Sequence, residues 1–445
     1  MKIASLKNPI LLLALCLFLQ LEAQHSISGK LSPAEDFKWL IAYKLNPTAQ
    51  NYVADAEVKN GEFTLKIPKN APTGIYRMVY AVPQDEFYFD LIYNGKEDIK
   101  LTFDLQKGLN FTASRENLLF QNYFKEIDAL ESEIEKLYDQ EVIDPQTEAD
   151  LFKSLQKVQD DYLSRSKNLL VAHFIGANRP YIPTAYEMEH APYLVHKMEH
   201  YFDGLNFDDS VLKGSEFLSD KLGDYIFRIF PIAPRNRGEM EHEMQVKVQT
   251  VAQVLKNVDL PYQARLMGDL WDMAARYNFD ATADYIYENH LQDLARETQN
   301  IKLIDKIETY NRLRPGAIAP EVSWEEGGIT KKLDDLSGYK YYVLVFWSSS
   351  CSHCLNELPK LQQDLKRIPD AKVIAIGLED EQANWEKESA KLPNFIHGIS
   401  LGKWESRYVD LYKIQHTPTY FILDAEKRIV AKPENFGEVA DFLKN

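Results

Sequence analysis

The sequence predicts a multidomain α+β protein: an N-terminal β-sandwich-like module, an α-helical middle domain and a C-terminal α/β domain. Three observations carry this. From His25 to about Asn110, polar and apolar residues alternate in short runs broken by Asn-Gly pairs. From Ser114 to Arg312, apolar residues recur at three- and four-residue spacing. Beyond the Arg-Pro-Gly-Ala-Ile-Ala-Pro segment at 314–320, apolar strand-like runs alternate with helical ones. At 445 residues the chain is too long for one compact core. The expected boundaries are 24–113, 114–313 and 314–445, after a leader at 1–23.

The leader reads as a signal peptide. Lys2 and Lys7 form a basic start, Ile10–Leu19 is an almost unbroken apolar run, and the small residue Ala23 precedes Gln24, where cleavage is expected. The run is shorter than the roughly 20 residues of a spanning helix. An uncleaved anchor is the alternative, because Leu21 is not the small residue such a site prefers. A lipid-modified Cys16 fits less well, since Leu15 precedes it. Cleavage implies a periplasmic or otherwise extracytoplasmic protein, soluble once processed. The net charge of −16 disfavours phosphate backbones and anionic lipid, so neither nucleic acid nor a membrane surface is an expected partner.

In the first module, Ala54–Val58 and Glu62–Ile67 flank Asn60–Gly61, and Phe87–Tyr93 and Asp98–Phe103 flank Asn94–Gly95. Asn-Gly between such runs predicts hairpins. In the middle domain, Ser114 stands as an N-cap before a helix carrying Leu118 to Leu137. Helical periodicity returns at Leu151–Phe174, Tyr186–Phe202, Lys213–Phe230, Glu239–Leu255, Tyr262–Tyr277 and Ala281–Arg312. In the third, strands are expected at Tyr341–Trp347, Ala371–Gly377, Tyr420–Leu423 and Arg428–Ala431. Helices are expected at Cys351–Lys366, Asn384–Leu392 and Glu434–Lys444.

Loss of the leader reduces three cysteines to two, Cys351 and Cys354. A bridge between them would close a tiny loop and gain little chain-entropy stabilisation, so the pair is kept for reactivity or for metal. It sits where a strand ends and a helix begins. Cys351 at the helix N-terminus meets unpaired N–H groups and the positive end of the dipole, which favour a thiolate. Cys351 is therefore the expected nucleophile, and Cys354, one turn further in, the thiol that resolves a mixed disulfide.

Further residues narrow the reading. His416-Thr417-Pro418-Thr419-Tyr420 runs straight into a strand; Gly316, Ala319 and Pro320 open the domain; Leu336-Ser337-Gly338 precedes its first long strand; Trp347 stands before the cysteines, and Glu357 and Pro359 after them. With these motifs residues 314–445 resemble the TlpA/ResA-like branch of the thioredoxin superfamily. The resemblance implies a thioredoxin-like fold, and a cis Thr417–Pro418 bond packed against both sulfurs. It implies Glu357 beside the thiols as a modulator of their titration, and Trp347, Ser352 and His353 as residues that tune the redox couple. Many relatives have Pro before the second cysteine. A His there is familiar from strongly oxidising members of the superfamily, so His353 argues for a higher potential and the family pattern for a reductant; the direction stays open. The implied substrate is a protein disulfide or thiol, and the implied partner a thiol protein that donates or accepts electrons. No cofactor is implied beyond the Cys351–Cys354 disulfide itself, and no glycine-rich phosphate loop follows a strand. The β-rich and helical segments look like N-terminal extensions on some TlpA-like proteins and carry no catalytic residue over.

Three other readings draw on parts of the sequence. Met-Glu-His recurs at 188–190, 198–200 and 240–242, with Met244 close by, and His196 and His200 share a helix face, a donor set that suits copper. Copper-delivery relatives generally space their cysteines by three residues, not two. The first three hundred residues could instead make the protein a redox-sensitive binding platform. A thiol peroxidase commonly has Thr three residues before its nucleophile, where Ser348 stands here.

Overall fold

The computed structural model describes residues 25–140, 142–184 and 190–444. The predicted leader lies outside them, as do Met188 and Glu189 of the first Met-Glu-His. The chain parts into two compact units, through Thr298 and from Gln299.

The first unit opens with eight strands: β1 (His25–Ser32), β2 (Trp39–Asn46), β3 (Ala49–Glu57), β4 (Glu62–Ile67), β5 (Gly74–Val79), β6 (Tyr88–Tyr93), β7 (Ile99–Asp104) and β8 (Gly108–Ala113). They form two four-stranded sheets, ordered β4-β1-β7-β8 and β3-β2-β5-β6. Ile27, Leu65 and Leu101 from one sheet meet Leu40, Met78 and Leu91 from the other in a shared core. This is the expected sandwich, but the expected hairpins are corrected. Asn60 and Gly61 do form a tight turn, with φ of 53° and 79°. Lys59 and Glu62 exchange both backbone hydrogen bonds across it. Yet β3 pairs with β2 and β4 with β1. The strands beside Asn94–Gly95 likewise separate, β6 to β5 and β7 to β1. Each Asn-Gly is a corner between sheets, because splitting the two strands lets both bury their apolar faces in one core.

Among the described residues the α-helices that follow in this unit are α1 (Arg115–Tyr138), α2 (Pro145–Arg165), α3 (Val171–Ala177), α4 (His190–Glu199), α5 (Ser210–Lys213), α6 (Phe217–Phe227), α7 (Arg237–Leu255), α8 (Leu260–Arg276), α9 (Asp280–Ile286) and α10 (Gln292–Glu297). Ser114 caps α1, its Oγ accepting from the Asn117 N–H. The Asn117 side chain bonds both backbone groups of Ile92 on β6, at 2.8 Å each. Arg77 on β5 reaches Asp90 at 2.8 Å and Glu216 at 2.9 Å, and Arg265 on α8 reaches Glu216 at 2.8 Å. These bonds join sandwich and helices, so the segments expected as 24–113 and 114–313 pack together as far as Thr298. The continuous helix expected over Leu151–Phe174 is broken near Asn168 and that over Ala281–Arg312 near Gln299, residues with φ of 64° and 54°.

The second unit begins with α11 (Ile301–Leu313), whose Leu313 enters its core. A hairpin of β9 (Ser323–Glu326) and β10 (Ile329–Lys332) follows, then β11 (Tyr341–Trp347), α12 (Ser352–Leu365), β12 (Ala371–Glu379), α13 (Gln382–Ser389), β13 (Ile396–Leu401), α14 (Arg407–Tyr412), β14 (Thr419–Leu423), β15 (Ile429–Ala431) and α15 (Phe436–Lys444). The sheet order is β13-β12-β11-β14-β15. β11, β12 and β13 are parallel, and β14 runs antiparallel to β11. One face packs Val343, Val345 and Trp347 with Cys354, Leu358 and Val439; the other packs Leu344 and Phe346 with Tyr408 and Tyr412. This is the expected thioredoxin-like domain, with two additions. The β9–β10 hairpin was not foreseen, nor was β13, whose His397 and Gly398 interrupt its apolar pattern. Gly398 is needed there, since a Cβ would lie 2.7 Å from Trp324 Cβ. Among the described residues no helix is long and apolar enough to cross a membrane.

Candidate active site

Six of the seven residues of β11 are buried, which fixes its end at the centre of the sheet. Ser348–Ser350 then turn the chain, and Cys351 begins α12 as its N-cap, with extended φ and ψ of −90° and 114°. Its sulfur takes the place of a capping oxygen, accepting from the Cys354 N–H at 3.4 Å. Both cysteines are free thiols, Cys351 half-buried and Cys354 fully buried. The Cys351 thiol donates to the Thr417 carbonyl at 3.2 Å.

This asymmetry separates their acidities. Burial works against ionisation of Cys351, but hydrogen bonds from the Cys354 and Thr417 side chains and from the Cys354 and His353 N–H groups outweigh it. Cys351 thus titrates below the ordinary thiol range. Cys354 is pushed well above that range, first by burial and then by the hydrogen bond and charge of Cys351. The Thr417–Pro418 bond is cis, and Pro418 is buried.

The other expected residues fall unequally around the sulfurs. Trp347 is fully buried in the Cys354 cluster. Ser352 and His353 are exposed on the first turn of α12, and His353 acts on Cys351 through its backbone N–H. Glu357 lies one turn beyond Cys354, where its Oε2 accepts from the Tyr420 hydroxyl at 3.0 Å and the Phe436 N–H at 3.3 Å. The Tyr420 hydroxyl is held protonated by burial, then by Glu357, and more weakly by Cys354 and Cys351. Tyr420 is thereby tied to Glu357 on the first turns of α12, a link that sequence reasoning missed.

A second residue was missed. Glu379 at the end of β12 is only 4% exposed. Its carboxylate accepts from the Ser349 N–H and, at 3.3 Å, from the Ser348 hydroxyl. Asn384 holds the same turn, donating to the Ser349 carbonyl at 3.1 Å. An acid closing an otherwise apolar buried strand was the available signal.

Two of the residues considered for copper have other occupations. His200 stacks on Tyr181 and bonds Asp203 at 2.7 Å, and Met244 is buried beside Thr282. Among the described residues, no three His, Cys, Asp or Glu gather as a metal site.

Residues 315–432 match the AhpC/TSA family. No curated protein matches the chain. Similar solved structures include a domain of a "possible thiol-disulfide isomerase" from Cytophaga hutchinsonii, at 31% identity over 30% of this chain and 92% of that one, TM-score 0.27. Another is the thioredoxin domain of a thiol-disulfide oxidoreductase from Bacteroides vulgatus, at 24% identity over 29% of this chain and 99% of that one, TM-score 0.26. A third, a thioredoxin-like protein from Bacteroides caccae, is 19% identical over 60% of this chain and 96% of its own, TM-score 0.36. The match to the AhpC/TSA family spans residues 315–432, and the unit that holds them has the thioredoxin-like fold of thiol-disulfide oxidoreductases.

Proposed function

We propose that the protein is an exported dithiol–disulfide oxidoreductase that acts on protein disulfides through Cys351 and Cys354. The observation that carries the reading is the unequal pair: an accessible, acidified thiol at a helix N-terminus, with a buried, weakly acidic thiol one turn behind it. The Cys351 thiolate attacks one sulfur of a client disulfide. That S–S bond breaks, its second sulfur leaves as a thiolate and takes up a proton, and a mixed disulfide with Cys351 forms. Cys354 then loses its proton and attacks the Cys351 sulfur, releasing the second client thiol. Two electrons pass to the client, and Cys351–Cys354 becomes a disulfide; the reverse sequence oxidises a client dithiol. A partner thiol protein resets the pair. Thr417–Pro418 covers the sulfurs, and Glu357 tunes them through Tyr420.

The test is the reduction potential of the couple, equilibrated in glutathione buffers with Cys351→Ser as blank. A value nearer about −270 mV than −120 mV makes it a reductant fed by an electron donor, and one near about −120 mV an oxidant. Absence of any reversible couple would sink the proposal. Export is checked separately: the mature protein should begin at Gln24.

A further inference from the structure

Beside the nucleophile lies a small cleft of about 190 Å³, walled by Cys351, Thr417, Ser350, Leu378, Lys403 and Trp404. It falls below the roughly 300 Å³ of an ordinary small-molecule site, and has room for one side chain. Its apolar wall is unusual. Trp404 is 49% exposed and the neighbouring Leu401 57%, so two large apolar side chains lie open to water near Cys351.

The backbone beneath Trp404 is held in a strained shape. Gly402 and Lys403 are successive left-handed residues, with φ of 92° and 45°. Lys403 carries a side chain, so this conformation persists only where its surroundings impose it. They do so here. The Glu405 N–H donates to the Gly402 carbonyl at 2.7 Å, and Ser406 Oγ lies 2.7 Å from Ser400 Oγ while accepting from the Tyr408 N–H at 3.2 Å. The Lys403 ammonium faces Asp380 at 3.6 Å, so its charge is already partnered. What the turn presents to the cleft is the half-exposed Trp404 indole, over the buried Leu378 and beside a Lys403 ammonium that faces Asp380.

We propose that this cleft receives an apolar side chain adjacent to the client cysteine that pairs with Cys351, and that Trp404 is the residue that selects it. The inference rests on the oxidoreductase reading and deepens it: clients are disulfides flanked by an apolar residue. An aromatic wall beside the nucleophile favours such neighbours, because an apolar side chain laid against it leaves water.

Two short peptides with a single cysteine, flanked by phenylalanine in one and glycine in the other, would be prepared as mixed disulfides with thionitrobenzoate. The reduced full-length protein attacks the peptide sulfur, and thionitrobenzoate leaves with the electron pair, giving a direct optical rate. The phenylalanine peptide should react about tenfold faster than the glycine peptide. Trp404→Ala should abolish that preference and Trp404→Phe largely keep it, with the pH profile of Cys351 alkylation unchanged in both. Equal rates for the two peptides in the unmodified protein, or an equal slowing of both by Trp404→Ala, overturns the cleft. If the unmodified protein reacts with neither peptide nor hydroxyethyl disulfide, it is the oxidoreductase reading that fails.

Discussion

Replacing Glu379 with alanine should loosen the turn that presents Cys351 and unmask Cys354. Glu379 accepts from the Ser349 N–H and the Ser348 hydroxyl, and both serines are only 3% exposed. Leaving a buried donor without an acceptor costs about 1–3 kcal/mol. The Ser348 hydroxyl can turn to Ser350 Oγ, 3.0 Å away, so the loss falls mainly on the Ser349 N–H and on the desolvated space left behind. A total of about 2–3 kcal/mol is expected. The assay uses Cys354 as a reporter of opening. In a Cys351→Ser background, where serine is an accepted cap, alkylation of the fully buried Cys354 requires the unit to open locally. At about 1.4 kcal/mol per factor of ten, Glu379→Ala should speed that alkylation roughly thirty- to a hundredfold. Glu379→Gln keeps one acceptor and should fall between. An unchanged rate in Glu379→Ala would refute the view that this carboxylate holds the turn.

Four other outcomes follow from the structure. Iodoacetamide should label Cys351 first, with a midpoint below the ordinary thiol range in Cys354→Ser, while Cys354 in Cys351→Ser stays slow. Because burial raises Cys354 in the folded state, the unfolded chain ionises this thiol first; its contribution to stability, fully present below the ordinary thiol range, is lost progressively as pH rises from that range toward the raised folded value, read by denaturant melts of the reduced protein. Ser114→Ala removes the cap of α1 and its bond to Glu97 at 2.9 Å, and should destabilise the first unit by about 1–2 kcal/mol in thermal melts. Arg77→Ala strands Asp90 and Glu216 beside a site where Arg77 itself is only 8% exposed, and should cost about 3–5 kcal/mol; a loss under about 1 kcal/mol would show that solvent screens the pair.

The reach of sequence reasoning follows the range of the forces involved. The Cys351 cap was legible because a run of β-branched and aromatic residues at Tyr341–Trp347 is a strand signal, and a turn of small residues before a helical pattern places the first cysteine at the N-terminus. The Ser114 cap and the two Asn-Gly turns were legible for the same reason: each depends on a few successive residues. Which sheet β3 and β4 enter was not, because the turn conformation is the same for a hairpin and for a corner, and only burial summed over the whole sandwich chooses between them. The links from Glu379 to Ser349 and from Glu357 to Tyr420 span 30 and 63 residues. No local pattern encodes such a bond; the pairing of β11 with β12 and β14 brings those groups together. The unequal placement of the two cysteines was thus written in their order along the chain, whereas the buried groups that hold their turn were decided by the packing of the sheet, since a carboxylate can stay buried only where folding supplies its donors.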